Sequence, residues 1–281
     1  MSICHINGEY LPTEKCALPV TDLVIQRGVG VFDSLRIYGG KAFALTAHME
    51  RLEKSARIAG INVEDGSIIR DITQTVREGS LRADCPDGGD CIVKAYITGG
   101  DSAVHGVFPN PRHFVIFESA PDVKPEAYQN GVALQPTTEG RPYPLVKSIN
   151  YMVGLMQEAG SGDVLECLYC PDGKVTETLK SSFFMCRDGK IITAPTGSVL
   201  GGVTRNIVLE LARVDGFKIE ERCPDVSELK LADEAFLTSS WKEVLPVVRV
   251  GDIKIAGGKP GPVAAHLQKL YRANLGRWLD K

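Results

Sequence analysis

Hydrophobic and polar residues alternate along several short segments of the chain, and strict alternation predicts β-strands. Residues 31–38 and 90–98 show it most clearly, because each has one apolar face and one face with polar and aromatic side chains. Either these are core strands with one solvated face, or the two polar faces line one pocket. Longer apolar runs at 112–118 and 164–170 predict buried strands.

Other segments repeat apolar residues at helical spacing, which predicts amphipathic helices. Serine and threonine at the start of such a segment are typical helix caps. The predicted helices are 46–59, capped by Thr46; a helix capped by Ser67 whose apolar stripe reaches Val76; 148–160, capped by Ser148; 203–214, before Gly216; and 262–278.

The segment 119–125 is rich in proline and polar residues and is the best candidate for a linker. We expect an N-terminal domain of residues 1–118, a linker over 119–130 and a C-terminal domain of residues 131–281. Turn sequences at 171–174 and 187–190 predict hairpins in the C-terminal domain. Both halves therefore mix predicted helices and strands.

Composition and charge narrow the classes of function. The chain is 43% hydrophobic and 24% charged, with a net charge of −3, which is typical of a globular protein. It has no basic stripe or polybasic cluster, so we do not expect it to bind nucleic acid or a membrane. No apolar stretch approaches the ~20 residues of a membrane helix, and the first residues lack signal-peptide features. We expect a cytoplasmic protein.

The eight cysteines include one pair with CxxC spacing, Cys167 and Cys170. A metal or redox function would need a second ligand pair or a thioredoxin-like context, and the sequence has neither. We therefore expect structural thiols that pack as small apolar side chains.

Lys147 and Glu177 are the first residues that suggest chemistry. Lys147 follows an uncharged, mostly apolar segment, 142–146, which can draw its amine inward. A lysine amine must lose its proton before it attacks a carbonyl carbon, and burial favours that loss. Glu177 follows a hairpin strand, where its carboxylate could keep a pyridine nitrogen protonated. Alone, either residue fits an ordinary solvent-facing side chain.

Residues 198–205 pass from a loop through a Gly-Gly pair into a helix that starts at Val203 and Thr204. The N–H groups and partial positive charge of a helix start bind phosphate. Ser240 offers a further donor, and Arg51 offers a cation for the phosphate. Each signal is weak alone, but an amine, a carboxylate and a phosphate cradle together predict a site for pyridoxal 5′-phosphate (PLP).

Together these residues resemble the class IV, fold-type IV PLP enzymes, which include branched-chain aminotransferases, D-amino-acid aminotransferases and 4-amino-4-deoxychorismate lyases. The resemblance covers nearly the whole chain. It implies an α+β fold with a small N-terminal α/β domain and a larger C-terminal pseudo-barrel domain. It also implies a homodimer with the cofactor between the domains. The matching segments are 27–33, 48–52, 147–151, 175–177, 200–205 and 238–247.

The resemblance also implies roles for individual residues. Lys147 is similar to the Schiff-base lysine that moves a proton between substrate and cofactor. Glu177 is similar to the carboxylate that partners the pyridine nitrogen, and Tyr151 to the residue that hydrogen-bonds the phenolic oxygen of the cofactor. The implied phosphate ligands are Arg51, Val203, Thr204 and Ser240.

Three residues depart from the family pattern. Leu179 stands in a segment where relatives have a small residue and then Ser-Asn. Phe32 replaces the tyrosine of the best-known D-amino-acid enzymes, and Trp241 is bulky where relatives have a small residue. We expect Trp241 to narrow the substrate pocket.

The short spacing from Lys147 to Asn150 resembles the D-amino-acid enzymes and the lyases, because the branched-chain enzymes have two extra residues there. A variant group of D-amino-acid enzymes carries an early Arg-Gly-x-Gly and a basic residue shortly before Thr-Gly-Gly, which Arg27 and Lys94 match. We hypothesise that Arg27 of the partner subunit, Lys94 or Lys242 binds the substrate carboxylate.

The predicted reaction exchanges an amino group between a D-amino acid and a 2-oxo acid, either 2-oxoglutarate or pyruvate. Three alternatives stay open at this point. They are an L-specific branched-chain aminotransferase, a 4-amino-4-deoxychorismate lyase, and a binding protein without enzymatic activity.

Overall fold

The structure is a computed structural model that describes residues 2–81, 90–120, 123–158 and 162–280. Within the chain, contacts divide the residues into two compact units. Val146 packs into the core of the first unit and Ser148 pairs with Val31, so the Lys147 segment belongs to that unit. The predicted division into 1–118, a linker over 119–130, and 131–281 differs from this one, which places 146–150 and 276–281 with the N-terminal residues. The first unit contains Met1–Pro121, Val146–Asn150 and Gly276–Lys281, and the second contains Asp122–Leu145 and Tyr151–Leu275.

In the first unit, the described strands form one antiparallel sheet. They are β1 (Ile3–Ile6), β2 (Glu9–Pro12), β3 (Gly30–Tyr38), β4 (Lys41–Ala42), β5 (Cys91–Thr98) and β6 (Arg112–Ser119). Their order across the sheet is β2-β1-β6-β5-β3-β4. The strands predicted at 31–38, 90–98 and 112–118 are therefore confirmed.

The two faces of this sheet differ. Along β3, buried side chains such as Val31 and Leu35 alternate with half-buried ones, and the buried face packs into the core of the unit. On the other face, the rings of Phe32, Tyr96 and Phe114 are stacked in a row across three strands, with centroids 5.4 and 4.7 Å apart. The two polar and aromatic strand faces thus share one side of the sheet.

The described α-helices of this unit are α1 (Leu23–Arg27), α2 (Leu45–Ile58) and α3 (Ser67–Leu81). The Thr46 cap is wrong, because α2 begins at Leu45 after Ala44, whose φ of 51° is left-handed. The Ser67 cap is also wrong. Asp65 Oδ1 accepts hydrogen bonds from the N–H (2.9 Å) and Oγ (2.7 Å) of Ser67, so Asp65 supplies the cap.

The described strands of the second unit form a mixed sheet. They are β7 (Val132–Thr137), β8 (Val164–Tyr169), β9 (Ser182–Arg187), β10 (Lys190–Thr193), β11 (Lys218–Glu221), β12 (Glu234–Ser239), β13 (Glu243–Val250) and β14 (Ile253–Lys254). Their order is β11-β10-β9-β12-β13-β7-β8, with β14 beside β13. The strand predicted at 164–170 and the hairpin predicted at 187–190 are confirmed as β8 and the β9–β10 turn.

The second unit also contains α4 (Pro125–Asn130), α5 (Met152–Glu158), α6 (Val203–Val214) and α7 (Pro262–Ala273). The prediction for α6 is confirmed, whereas α7 ends before Trp278. The Ser148 cap is wrong, because the pairing of Ser148 with Val31 keeps that segment out of the helix and α5 begins at Met152. Its predicted end near Gly160 lies outside the described residues.

Both ends of the predicted linker over 119–130 belong to regular secondary structure. Ser119 ends β6 and residues 125–130 form α4, while Pro121 and Asp122 lie outside the described residues. Among the residues that the structure describes, no helix is both long and apolar enough to span a membrane.

The CxxC pair consists of two free, buried thiols on and just after β8. Burial raises the pKa of Cys167 to about 11 and that of Cys170 to about 12. Both groups therefore stay protonated at neutral pH and pack as small apolar side chains.

Candidate active site

Lys147 lies in a segment whose backbone is hydrogen-bonded to both α2 and β3 of the first unit. Its N–H donates to Ser55 Oγ (3.1 Å), and its carbonyl accepts from the N–H of Phe32 (2.9 Å). Lys147 is only 8% exposed, and its Nζ lies 4.8 Å from the centroid of the Phe32 ring. The fixed backbone limits where the amine can point, which suits a lysine that acts as a nucleophile.

Asp33, His48 and Arg51 form a buried polar cluster in the same unit. Asp33 accepts hydrogen bonds from Arg51 Nε at Oδ2 (2.7 Å) and from Arg51 Nη2 at Oδ1 (2.8 Å). Burial acts to raise the pKa of the Asp33 carboxyl, but Arg51 and His48 outweigh it and hold the pKa well below its usual range. The ionised Asp33 therefore fixes the guanidinium of Arg51, the predicted phosphate ligand, in one orientation.

His48 is a neutral imidazole, and one of its ring nitrogens has no hydrogen-bond partner among the described residues. Burial lowers its pKa, and Arg51 and Lys147 lower it further against the opposing effect of Asp33. Neutral His48 donates from Nδ1 to Asp33 Oδ1 at 2.7 Å, which leaves Nε2 as an acceptor. This Nε2 is buried and has no hydrogen-bond partner among the described residues.

Glu177 lies beside β8 in the second unit, because a turn at 171–173 returns the chain along that strand and the Tyr169 N–H donates to the Glu177 carbonyl (2.9 Å). The Glu177 side chain is buried. Its Oε1 accepts from the Leu200 N–H at 3.2 Å, and its Oε2 lies 3.5 Å from Arg141 Nη1. One carboxylate thus connects the residues before α6 with a buried arginine.

Arg141 is a residue of this site that the sequence reasoning missed. Its side chain is 8% exposed, and its guanidinium forms an ion pair with Glu177 and hydrogen-bonds the side chain of Tyr151. Burial raises the pKa of the Tyr151 phenol although Arg141 opposes this, so the phenol keeps its proton and can donate it to an oxygen. The only signal in the sequence was a single cation just before the apolar segment that leads to Lys147.

The start of α6 has the features of the predicted anion cradle in the second unit. Gly202 is the residue before the helix and has no side chain to cap the first N–H groups, and both Val203 and Thr204 are buried. Thr204 Oγ1 and Thr238 Oγ1 are buried without a hydrogen-bond partner among the described residues. Buried hydroxyls are normally paired, so two unpaired ones fit a phosphate that supplies their acceptors.

The three candidates for the substrate carboxylate have different environments. Lys94 forms an ion pair with Glu118, and Lys242 forms a buried one with Glu166. Arg27 is exposed at the end of α1, donates to the Gln26 carbonyl (2.9 Å), and forms no ion pair with any residue in the described ranges.

The structure groups the predicted residues by unit. Lys147 and Arg51 lie together near Asp33 and His48 in the first unit, with Arg27 and Lys94 elsewhere in it. In the second unit Tyr151 and Glu177 meet through Arg141, and the start of α6 lies next to Glu177 through Leu200. Ser240 lies in the turn between β12 and β13, directly after the Thr238 segment.

The residues of each unit fit groups of PLP by their chemistry. The first unit offers an amine for the aldehyde, and the second offers a buried carboxylate for the ring nitrogen, a phenol for the phenolic oxygen, and a helix start with unpaired hydroxyls for the phosphate. These residue types, on an α+β fold, are the ones that a resemblance to the fold-type IV PLP enzymes implies.

Comparisons with known proteins agree with this class. The family model "Amino-transferase class IV" matches residues 30–250. D-alanine aminotransferase of Bacillus licheniformis is 32% identical over 272 residues, covering 93% of each protein. Branched-chain-amino-acid aminotransferase-like protein 2 of Arabidopsis thaliana is 29% identical over 96% of this chain, which spans about half (50%) of that protein.

A solved structure is similar over nearly the whole chain. The T.th. branched-chain amino acid aminotransferase with pyridoxamine 5′-phosphate has a TM-score of 0.86 and 25% identity, covering 99% of this chain and 97% of that one. The chain belongs to the class IV aminotransferases, and its cofactor is PLP. The predicted family, fold class and cofactor are confirmed.

Proposed function

We propose that the protein is a transaminase that exchanges an amino group between a D-amino acid and a 2-oxo acid, either 2-oxoglutarate or pyruvate. The similarity to D-alanine aminotransferase, which extends over 93% of both chains, carries this proposal. The short spacing from Lys147 to Asn150 supports it.

The chain's own residues would perform the following steps. Lys147 would hold the cofactor at its aldehyde carbon, and its amine, once displaced by the amino group of the substrate, would take up and return the proton of the substrate Cα. When bound, PLP supplies an electron sink for the charge that this proton leaves behind. Glu177, oriented by the Leu200 N–H and Arg141, would keep the ring nitrogen protonated. Tyr151 would donate to the phenolic oxygen of the cofactor.

The phosphate would be held by backbone and side-chain donors. Val203 and Thr204 offer the first N–H groups of α6, and Ser240 offers its hydroxyl. Arg51, already oriented by Asp33, adds the positive charge that a dianion favours.

Arg27 is the candidate for the substrate carboxylate that this proposal favours. The other two cations are paired with Glu118 and Glu166, whereas the Arg27 charge is not neutralised by any carboxylate in the described part of the chain. Asn150 Nδ2 donates to the Gly28 carbonyl (3.3 Å), which supports the turn that presents Arg27. Gly28 has a φ of 66°, and a Cβ there would lie 2.9 Å from Asn150 Oδ1, so glycine suits this turn.

We also propose that the enzyme acts as a homodimer to which Arg27 of the partner subunit contributes. Helix α5 supports self-association, because it exposes Met152, Leu155 and Met156 to solvent. Large apolar side chains grouped on one short helix are typical of a protein interface.

Single-turnover spectroscopy tests the stereochemistry. PLP-loaded protein is mixed with D-alanine, D-glutamate or their L-enantiomers, and we expect the absorbance of the bound cofactor to shift only with the D-forms. Lys147→Ala is the inactive control. In steady state, Arg27→Ala should raise KM for D-glutamate by about tenfold or more, with a smaller effect for Lys94→Ala.

A second candidate is an L-specific branched-chain aminotransferase, which the similarity to the T.th. enzyme favours. Conversion of L-leucine, L-isoleucine or L-valine without conversion of the D-forms would establish it and refute the first proposal. Unchanged KM values in both the Arg27 and Lys94 variants would refute the carboxylate assignment.

A further inference from the structure

The second unit contains a buried ion pair to which the steps proposed above assign no role. Lys242 Nζ contacts Glu166 Oε1, and the two side chains are 5% and 1% exposed. Glu166 lies on β8, whereas Lys242 lies in the turn between β12 and β13. Burying two charges is costly unless they are paired and hydrogen-bonded with good geometry, so a pair at this place calls for a specific explanation.

Glu166 holds the loop that directly follows Glu177. Its Oε2 accepts from Thr178 Oγ1 and from the Lys180 N–H (3.1 Å), and the Ser181 hydroxyl lies 3.2 Å away. Lys242 Nζ also donates to Ser181 Oγ (3.0 Å). The loop closes on itself where the Thr178 N–H donates to the Ser181 carbonyl (2.9 Å). The backbone on the C-terminal side of Glu177 is therefore fixed by this carboxylate.

Lys242 holds the turn that contains Ser240. Its N–H donates to Ser239 Oγ (3.2 Å), and its carbonyl accepts from the Tyr128 hydroxyl (3.0 Å). Glu166 thus hydrogen-bonds the loop after Glu177, and Lys242 lies in the turn of the proposed phosphate ligand.

We propose that the Glu166–Lys242 pair is a positioning device that ties the ring-nitrogen carboxylate Glu177 to the phosphate turn at Ser240, so that both meet one cofactor in fixed register. Lys242 is then a positioning residue and not a ligand of the substrate carboxylate. The proposal rests on the proposed roles of Glu177 and Ser240. An apolar pair could fill the same space, but it could not fix the loop through directional hydrogen bonds.

The charge state of Glu166 agrees with this role. Burial acts to raise its pKa, but Lys242, Thr178 and the other donors outweigh burial and keep the pKa below its usual range. The carboxylate is therefore ionised and can accept all of these hydrogen bonds.

The test compares cofactor binding by apo-proteins. Glu166→Gln/Lys242→Met removes both charges at similar volume, and the single variants Glu166→Gln and Lys242→Met leave one charge unpaired. Arg222→Met/Glu228→Gln is the matched control, because it removes a bidentate pair of the same unit (2.7 Å) that contacts neither segment. The readouts are the Kd for PLP from absorbance titration, the absorbance maximum of the bound cofactor, and thermal unfolding of each apo-protein.

We expect the double variant to fold with a Kd for PLP raised about tenfold or more and a shifted absorbance maximum, while the control pair leaves both unchanged. Lys242→Met alone should lower the apo Tm further than the double variant, because it leaves a buried carboxylate unpaired. In the double variant kcat should fall, while KM for the oxo acid at saturating PLP stays near that of the unmodified enzyme.

An unchanged Kd for PLP in a folded double variant would overturn the proposal. So would a raised KM for the oxo acid with normal PLP binding, since that result would make Lys242 a substrate ligand. These readouts do not depend on the handedness of the amino acid. An enzyme active only on L-amino acids would refute the proposed D-specificity and leave this result standing.

Discussion

At the scale of single residues, the first unit contains a buried cluster of ionisable groups around Asp33. Its carboxylate is fully buried, ionised and shared between Arg51 and a neutral histidine. The two partners differ in function: Arg51 neutralises the charge, whereas His48 only donates a hydrogen bond. The sequence pointed to Arg51 through a family motif. It gave no sign of the protonation state of His48, which depends on complete burial.

The neutrality of His48 predicts a specific pH dependence of stability. The unfolded chain binds a proton at His48 as pH falls through the model value of 6.5, whereas the folded protein, with its lowered pKa, does not. Stability should therefore fall as pH decreases below about 6.5, by up to about 1.4 kcal/mol per pH unit for this group. His48→Gln should flatten that slope between pH 6.5 and 5.

Urea unfolding of both proteins at several pH values measures this slope. His266→Gln is the control, because His266 is exposed and lies at the surface near Asp215. Parallel stability curves for the unmodified protein and His48→Gln would contradict a neutral, buried His48.

At the scale of elements, local pattern located strands and helices better than it located their ends. The strands β3, β5, β6 and β8 and the helix α6 follow from alternation and helical spacing. Ser148 shows why caps were harder to predict: it is a good cap residue, but pairing with a distant strand takes its backbone out of the helix. Helical spacing likewise predicted that α6 exists, but it did not show that the Thr204 hydroxyl in its first turn is buried without a partner among the described residues.

The start of α6 predicts opposite effects of one substitution on stability and on cofactor binding. In Thr204→Val the buried hydroxyl without a partner is lost, so the apo-protein should gain about 1 kcal/mol of stability. Loss of the same donor should weaken PLP binding by several-fold or more. Thermal unfolding and PLP titration of the apo-protein measure the two effects.

Thr193→Val is the matched control in the same unit, since Thr193 Oγ1 is buried but donates to the Phe183 carbonyl (2.7 Å). It should destabilise the apo-protein and leave the Kd for PLP unchanged. A less stable apo-protein in Thr204→Val, or equal PLP affinity, would argue against a phosphate at this position.

At the scale of the whole molecule, the chain forms two units, and each unit contains some of the residues predicted for the site. Residues 146–150 belong to the first unit although residues on both sides of them belong to the second. This crossing places Lys147 on a segment held by β3 and α2. The proposed dimer adds a further level, because Arg27 would act on the site of the other subunit.

The proposed dimer predicts the effect of charge on α5. Met152 and Met156 are 73% and 68% exposed, and Met152→Glu/Met156→Glu should shift the protein toward a monomer and lower its activity. Size-exclusion chromatography with light scattering, over a range of micromolar concentrations, measures the mass. Val214→Glu is the control, because Val214 is 79% exposed on α6. A monomeric unmodified protein, or equal masses in all variants, would contradict the dimer.

The sequence by itself determined the family, the cofactor and most of the regular elements, because these depend on local pattern and on short motifs read in order. Lys147, Glu177 and the start of α6 carry their chemical identity in the sequence. Only the tertiary structure decided how these groups are supported: Arg141 beside Glu177, Asp33 between Arg51 and His48, and the pairing of Lys242 with Glu166. The physical reason is that a buried charge is stable only when it is paired, and each of these partners comes from a different segment of the chain.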